Sequence, residues 1–169
     1  QSTWDVTSTG YIVRKQLANS NQSRGWVYVR LAQMYLDYAE ALNESSPGDP
    51  EILEAVNLIR ERAGLPQYGN GTNPLPVPTG QDAVRIVIRH ERQVELAFEN
   101  VRYFDLRRWK IAAETMGADV YGMNIFADGT GFYEKTLVQK RRFLPRDYLW
   151  PIPNNEILKD NYLVQNPGW

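Results

Sequence analysis

Cysteine is absent from the 169-residue sequence, and histidine occurs once, as His90. The lack of cysteine excludes disulfide frameworks, thiolate zinc sites and cysteine nucleophiles. No stretch approaches the roughly 20 apolar residues that a membrane-spanning helix needs. Residues 1–10 lack a basic segment followed by an apolar one, so we expect no signal peptide there. Because the chain begins with Gln1 and not with methionine, we expect it to derive from a longer or processed chain.

An excess of charge of one sign is also missing. The sequence has 19 Lys and Arg against 20 Asp and Glu, a formal net charge of −1. This balance disfavours binding to nucleic acid or to an anionic membrane surface. Instead, 43% of the residues are hydrophobic and 23% are charged, which is typical of a folded globular domain. The 5 Trp, 10 Tyr and 5 Phe supply rings for a core and for stacking recognition.

The first half of the chain predicts a hairpin of two helices. Between Val27 and Asn43, apolar residues recur at spacings of three and four. Asp49 is then a suitable N-cap, Pro50 a suitable first helical residue, and Gly64 a suitable left-handed residue after the helix. Two antiparallel helices with a short turn form the unit from which tetratricopeptide-like stacks are built.

Two further helices are predicted over residues 79–99 and 101–115. Thr79 with Asp82 is a variant of the capping box, and Asn100 suits the left-handed turn between the two helices. Later prolines exclude a long helix, so we expect only a short one near residues 155–159. The predicted fold is mainly α, with a tetratricopeptide-like helical hairpin, two further helices and an irregular extended C-terminal tail. We expect a single helical domain or fragment over 1–169, with an extended or loop lead-in over 1–25, a helical core over 27–115 and a loop-rich wrap over 116–169.

The segment from Arg89 to Glu99 is the most densely charged part of the chain, but it does not predict catalysis. His90-Glu91 begins the pattern of a zinc-protease helix, and Val94 stands where the second histidine is required. One histidine also cannot complete a di-iron carboxylate bundle. No serine has the strand-and-elbow context of a nucleophile. We therefore predict no catalytic residue, no metal and no cofactor.

Glu91, Glu95 and Glu99 follow one another at four-residue steps, which destabilises a helix unless cations separate the carboxylates. A glycosidase instead needs two carboxylates across a cleft. We predict an arginine–glutamate network that fixes how the third predicted helix meets the fourth, so that Glu95→Ala lowers stability and not chemistry. Contact of one arginine with an anion or sugar is the alternative. The candidate arginines are Arg85, Arg89, Arg92, Arg102, Arg107 and Arg108.

Other short motifs add little. Neither Gly-x-x-x-x-Gly-Lys nor Gly-x-Gly-x-x-Gly occurs, so phosphate-binding loops are not predicted. Asn-x-Ser/Thr sites begin at Asn21, Asn43 and Asn70, and they matter only in a secreted eukaryotic protein. We interpret Asn43 as a helix cap.

Four blocks of sequence together resemble one family. Residues 30–43 read RLAQMYLDYAEALN, and residues 56–66 read VNLIRERAGLP. Residues 91–109 read ERQVELAFENVRYFDLRRW, and residues 151–157 and 165–169 read PIPNNEI and QNPGW. In this order the blocks resemble the SusD/RagB family of outer-membrane nutrient-binding lipoproteins. Gln33, Asn100 and Trp169 depart from the family's usual Glu, Gly and Tyr but keep the same physical roles.

The resemblance implies the C-terminal region of a longer, tetratricopeptide-like surface lipoprotein from Bacteroidetes. Such a protein binds an oligosaccharide or peptide nutrient, is not an enzyme, and covers a SusC-like TonB-dependent outer-membrane transporter. It reaches the membrane only through a lipid anchor, whose cysteine this chain lacks. From the residues alone, a tetratricopeptide-like protein-interaction scaffold without a small ligand remains the alternative, with a glycan-active hydrolase as a third hypothesis.

The matching motifs are structural, so the ligand-binding residues stay unknown. Four aromatic residues lie in predicted loops, where rings can form a platform for a sugar. Packing within the loops is the alternative role for each ring. These residues are Tyr68, Tyr121, Phe132 and Tyr133.

Overall fold

The computed structural model describes residues 7–13, 15 and 28–169. Its described part is mainly helical, as predicted. None of the helices in these ranges has the length and apolar character to cross a membrane. The chain divides into two compact units, one over residues 21–102 and one over residues 1–20 with 103–169. The elements are α1 (Leu31–Ser45), α2 (Pro50–Arg62), α3 (Gln81–Glu95), α4 (Val101–Arg108), α5 (Ala112–Met116), β1 (Val120–Met123), β2 (Lys135–Gln139) and α6 (Asn154–Lys159), with 3₁₀ turns at Gly129–Tyr133 and Pro145–Tyr148.

The hairpin of α1 and α2 forms as the local signals predict. The Asp49 carboxylate accepts a hydrogen bond from the Glu51 N–H at 3.0 Å, and Pro50 is the first helical residue. Gly64 has a φ of 69°, and the Leu65 N–H reaches back to the Arg60 carbonyl at 2.8 Å. This is the bond that closes a helix around a left-handed residue.

The start of α1 is later than predicted. Val27 lies outside the described residues, and the described backbone becomes helical only at Leu31. Arg30 is extended, with φ −140° and ψ 161°. Its side chain is bound to Glu95 at the end of the third helix and to Glu99 in the turn that follows, which the periodicity of α1 does not reveal.

Two predictions for α3 and one for α4 are wrong. The N-cap of α3 is Gly80, without a side-chain cap, so Thr79 does not form the predicted capping box. α3 ends at Glu95 and not Glu99, and a turn with Asn100 in the predicted left-handed conformation follows. The helix predicted over 101–115 is interrupted, because Lys110 adopts a φ of 59° between α4 and α5.

The interruption at Lys110 has a hydrogen-bonding cause. The Ile111 N–H donates to the Leu106 carbonyl at 3.1 Å, and the Lys110 N–H donates to the Arg107 carbonyl at 3.2 Å. These bonds satisfy the last carbonyls of α4 as a Schellman motif does, usually with glycine at the left-handed position. A lysine there gives no sequence signal for the end of a helix.

The core of residues 21–102 is shared by the three helices of that unit. One cluster joins Ala39 of α1 to Val56 of α2 and Ile88 of α3, and a second joins Leu36, Ile59 and Leu96. Both place α1 between its two neighbours. The alanine at position 39 is fully buried and lets the other helices approach.

Asn43 is not the helix cap that we predicted. α1 continues through it to Ser45, and the side chain is fully buried. Its amide nitrogen donates to the Gln81 carbonyl at 3.2 Å, while the Gln81 amide nitrogen donates to the Asn43 carbonyl at 2.9 Å. The two amides therefore join the last turn of α1 to the first turn of α3.

The other unit contains an antiparallel β-hairpin. β1 pairs with β2 so that Tyr121 faces Leu137 and Met123 faces Lys135. The Met123 N–H also donates to the Thr9 carbonyl at 2.9 Å. A side chain at Gly122 would place its β-carbon 2.6 Å from that carbonyl oxygen, so the close approach of the N-terminal segment requires glycine.

The C-terminal tail is extended apart from α6, as predicted. The side chain of Gln165 binds both backbone groups of Ile152, with each hydrogen bond at 2.9 Å. Trp169 donates from its indole nitrogen to the Arg146 carbonyl, and the Arg146 guanidinium lies 4.6 Å from the indole ring. Side chains, and not a regular backbone ladder, hold the tail in place.

Two isoleucines on α3 test the assignment of the core. Ile88 is 1% exposed, whereas Ile86 on the same helix is 69% exposed. Ile88→Ala is expected to lower the free energy of unfolding by about 2–5 kcal/mol, because it leaves a cavity between three helices. Ile86→Ala, the matched control, is expected to change it by no more than about 0.5 kcal/mol. Denaturant titration measures both, and equal losses would contradict the assignment.

Candidate functional site

Arginines of the hairpin bind the carboxylates that follow one another along α3 and its terminal turn. The Arg30 guanidinium donates two hydrogen bonds to the Glu99 carboxylate, each at 2.8 Å. It donates a third to the Glu95 carboxylate at 2.5 Å. Arg62 binds the same Glu95 oxygen at 2.6 Å. The hydrogen bonds to Glu99, then those to Glu95, raise the pKa of Arg30 above its ordinary value against the opposing effect of burial.

Two further arginines, Arg60 and Arg92, are more deeply buried than Arg30 and Arg62. Arg60 pairs with Glu91, and both side chains are almost wholly removed from solvent. Arg60 also donates to the Pro66 carbonyl at 2.6 Å, and its guanidinium lies 4.9 Å from the centre of the Tyr68 ring. Arg92, buried on α3, pairs with Asp37 of α1.

We call these ion pairs the arginine–carboxylate network: Arg30, Arg60, Arg62 and Arg92 with Asp37, Glu91, Glu95 and Glu99. The predicted network exists, and these contacts tie α3 and its terminal turn to α1 and α2, a connection that the prediction did not include. The partners are 31–69 residues apart in sequence, beyond the reach of helical spacing rules. Each pair satisfies its charges internally, which favours a structural role.

His90 and Glu91, which begin the zinc-protease pattern in the sequence, lie in different environments on α3. Within residues 7–13, 15 and 28–169, no group of three His, Asp or Glu side chains is placed to hold an ion. His90 is exposed on α3, while Glu91 beside it is buried against Arg60. The zinc-protease pattern is therefore a feature of the sequence only, because the two side chains lie in different environments in the structure.

Two of the four aromatic candidates line a shallow cleft beside the β-hairpin. Its volume is about 250 Å³. Tyr121 and Tyr133, both predicted candidates, line it together with Tyr11, which we did not single out. The rings of Tyr11, Tyr121 and Tyr133 are all exposed. We call this the tyrosine cleft, lined by Tyr11, Tyr121, Gly122, Met123, Tyr133 and Lys135.

The backbone fixes the positions of these rings. Lys135 lies diagonally across the β-hairpin from Tyr121, and its ammonium nitrogen is 4.3 Å from the centre of that ring. The 3₁₀ turn at 129–133 places Phe132 edge-to-face with Tyr133, at 5.4 Å between ring centres. Phe132 thus packs against a ring of the cleft and does not line it.

Tyr11 enters the cleft through tertiary contacts. The Thr9–Met123 hydrogen bond and the missing side chain of Gly122 bring residues 7–13 against β1. In sequence, Tyr11-Ile12-Val13 predicts only a short extended segment. Nothing local in the sequence indicates that the segment lies beside residues more than a hundred positions later.

Tyr68, the fourth candidate, lies in the other unit. It lines a pocket of about 570 Å³ at the start of α2 and α3, whose charged lining residues in the described chain are Asp49 and Glu54. The Asn57 side chain binds the Tyr68 N–H at 2.8 Å and its carbonyl at 3.0 Å, which fixes this wall. Burial, followed by the nearby Glu91 carboxylate, raises the pKa of the Tyr68 hydroxyl. We call this the Tyr68 pocket.

These features define a mainly helical protein with a tetratricopeptide-like hairpin and one open cleft lined by tyrosines. The sequence profile of the SusD family matches residues 1–169. The chain therefore belongs to the SusD family.

Individual relatives agree with this assignment. SusD-like protein P2 of Formosa agariphila is 37% identical over 160 residues, which cover 90% of this chain and 28% of that protein. A crystal structure of a SusD-like protein from Bacteroides fragilis superposes with a TM-score of 0.71 at 34% identity, covering 85% of this chain and 26% of that one. The chain thus spans about a quarter of the length of these relatives.

Glu95 tests whether the network is structural. Its carboxylate binds both Arg30 and Arg62, so Glu95→Ala leaves two cations without that partner. The expected loss of unfolding free energy is about 1.5–3 kcal/mol, the range for hydrogen bonds to a charged group, because the arginines are only partly buried. Glu156→Ala, which breaks the exposed pair with Lys159, is the control and is expected to cost at most about 1 kcal/mol. Thermal or denaturant unfolding that shows no difference between the two would refute the structural role.

Proposed function

We propose that this chain is the helical C-terminal region of a binding protein that captures an oligosaccharide or peptide nutrient at the bacterial outer membrane. Membership of the SusD family supports this function. The observation that carries it in this chain is the tyrosine cleft, where three exposed rings and an ammonium group share one small surface. Rings that pack no core are available for a ligand.

The chemistry of the cleft suits an uncharged sugar best. Aromatic faces bury the apolar C–H faces of a sugar ring, while phenol hydroxyls hydrogen-bond to its hydroxyl groups. The Lys135 ammonium adds a donor for a sugar hydroxyl or a peptide carbonyl. Its contact with the Tyr121 ring holds this donor beside the aromatic surface.

In this proposal the longer protein is anchored at the cell surface by a lipid and covers a SusC-like TonB-dependent transporter. The ligand is bound without a cofactor and without chemical conversion. The arginine–carboxylate network then serves only to hold the helical framework. Nucleic acid plays no part, in keeping with the balanced net charge of −1.

A protein-interaction scaffold of the tetratricopeptide type is the second candidate. It is favoured by an exposed apolar stripe on α1, formed by Leu31, Met34 and Tyr38 at spacings of three and four. Apolar residues at this spacing lie on one face of a helix. In that case the full-length protein binds another protein and no small ligand.

The cleft is tested by calorimetric titration of the full-length protein against a panel of oligosaccharides and peptides. Tyr121→Ala and Tyr133→Ala are each expected to weaken binding about tenfold, or ~1.4 kcal/mol. The control is Tyr162→Ala, which removes a ring that is 95% exposed in the same unit and outside the cleft, and it is expected to leave affinity unchanged.

Three results would decide against the proposal in different ways. Unchanged affinity in both cleft variants would remove the tyrosine cleft as the site. Binding of neither an oligosaccharide, a peptide nor a transporter by the full-length protein would end the nutrient-capture function. Hydrolysis of a glycan that is lost on mutating two separated carboxylates would favour an enzyme instead.

A further inference from the structure

The connector between α2 and α3 carries a chemically reactive pair, Asn70-Gly71. It is the one place in the sequence where asparagine precedes glycine. The peptide nitrogen that follows an asparagine can attack the carbon of its side-chain amide. A side chain on the following residue obstructs this attack, and glycine has none.

The local geometry brings the reacting groups together. The Gly71 N–H donates to the Asn70 side-chain oxygen at 2.9 Å, so the nitrogen lies beside the amide that it would attack. Gly71 has a φ of 92°, and a β-carbon built on it would meet no atom of the described residues within 4 Å. Asn70 itself is exposed, so water reaches the site.

The connector holds this geometry in place. The Leu75 N–H donates to the Gln67 carbonyl at 2.8 Å, and the Gly69 N–H donates to the Leu75 carbonyl at 2.9 Å. The Asn70 amide nitrogen donates to the Gln67 side-chain oxygen at 3.0 Å. The Asn70-Gly71 pair therefore lies at the tip of a loop that these hydrogen bonds close.

We propose that Asn70 is a site of spontaneous deamidation in the folded protein. The Gly71 nitrogen loses its proton to solvent and bonds to Cγ of Asn70. The side-chain nitrogen takes a proton from solvent and leaves as ammonia, which closes a five-membered succinimide. Water then opens either carbonyl of the ring and yields aspartate or isoaspartate at position 70. Water is the only co-reactant, and no oxidation occurs.

The modification changes the charge of the Tyr68 pocket. Asn70 lines this pocket together with the carboxylates of Asp49 and Glu54. A carboxylate at position 70 adds a third negative charge and removes the amide that donates to Gln67. The pocket thereby becomes more acidic as the protein ages, whatever ligand the tyrosine cleft binds.

Incubation of the purified chain in mildly alkaline buffer, followed by peptide mapping with mass spectrometry, tests the proposal. Residue 70 is expected to gain the mass that replaces an amide by an acid. It should react about tenfold or more faster than Asn154, which is exposed and followed by asparagine, a barrier difference of at least ~1.36 kcal/mol. Asn70→Asp provides the reference for the product on ion exchange.

Two variants test whether the modification proceeds through the five-membered succinimide or by direct hydrolysis of the amide. Asn70→Gln keeps an amide but cannot form the five-membered ring, and it should give no product at position 70. Gly71→Ala places a methyl group beside the attacking nitrogen at a φ of 92°, where a side chain is strained, and should slow the reaction about tenfold by obstructing the attack and displacing the loop. Conversion at Asn70 no faster than at Asn154, or an equal rate in Gly71→Ala, would overturn the proposal.

Discussion

The ion pair between Arg60 of α2 and Glu91 of α3 is the interaction on which the three-helix unit depends most. Both side chains are almost wholly buried, so each charge would be costly without the other. Arg30 and Arg62 bind Glu95, one turn further along α3, while Arg92 of α3 pairs in the opposite sense with Asp37 of α1. The apolar core favours burial of α3, while the ion pairs select which residues of the hairpin it faces. Carboxylates at four-residue steps are tolerated because arginines from other helices separate them.

Local signals in the sequence predict the features that depend on one or two neighbouring residues. Asp49 caps α2, Gly64 ends it, and Asn100 adopts the left-handed turn, because each needs only its own backbone conformation. Tertiary contacts decide the remainder. Asn43 is a buried link because Gln81 lies opposite it, and Lys110 ends a helix in a position usually taken by glycine. Helical spacing rules likewise do not identify the partners of the α3 carboxylates, because those partners are far away in sequence.

The same division applies to the candidate site. Loop aromatics were identifiable as candidates from their sequence context, and Tyr121 and Tyr133 do line one cleft. Tyr11 was missed because the absent side chain of Gly122 admits the N-terminal segment, a contact with no local signature. Tyr68 lies instead in a pocket of the helical unit, where Asn57 fixes the backbone around it. Each of these positions is set by contacts between residues that are far apart in sequence, which local patterns do not encode.

A double-mutant cycle on Arg60 and Glu91 tests most directly whether buried charge holds α3 against the hairpin. The free energy of unfolding is measured for the parent chain, Arg60→Ala, Glu91→Ala and the double variant. We predict a favourable coupling of at least about 1 kcal/mol, so that the second substitution costs far less once the first is present. Losses that add to within about 0.3–0.5 kcal/mol would show two independent side chains and contradict the account.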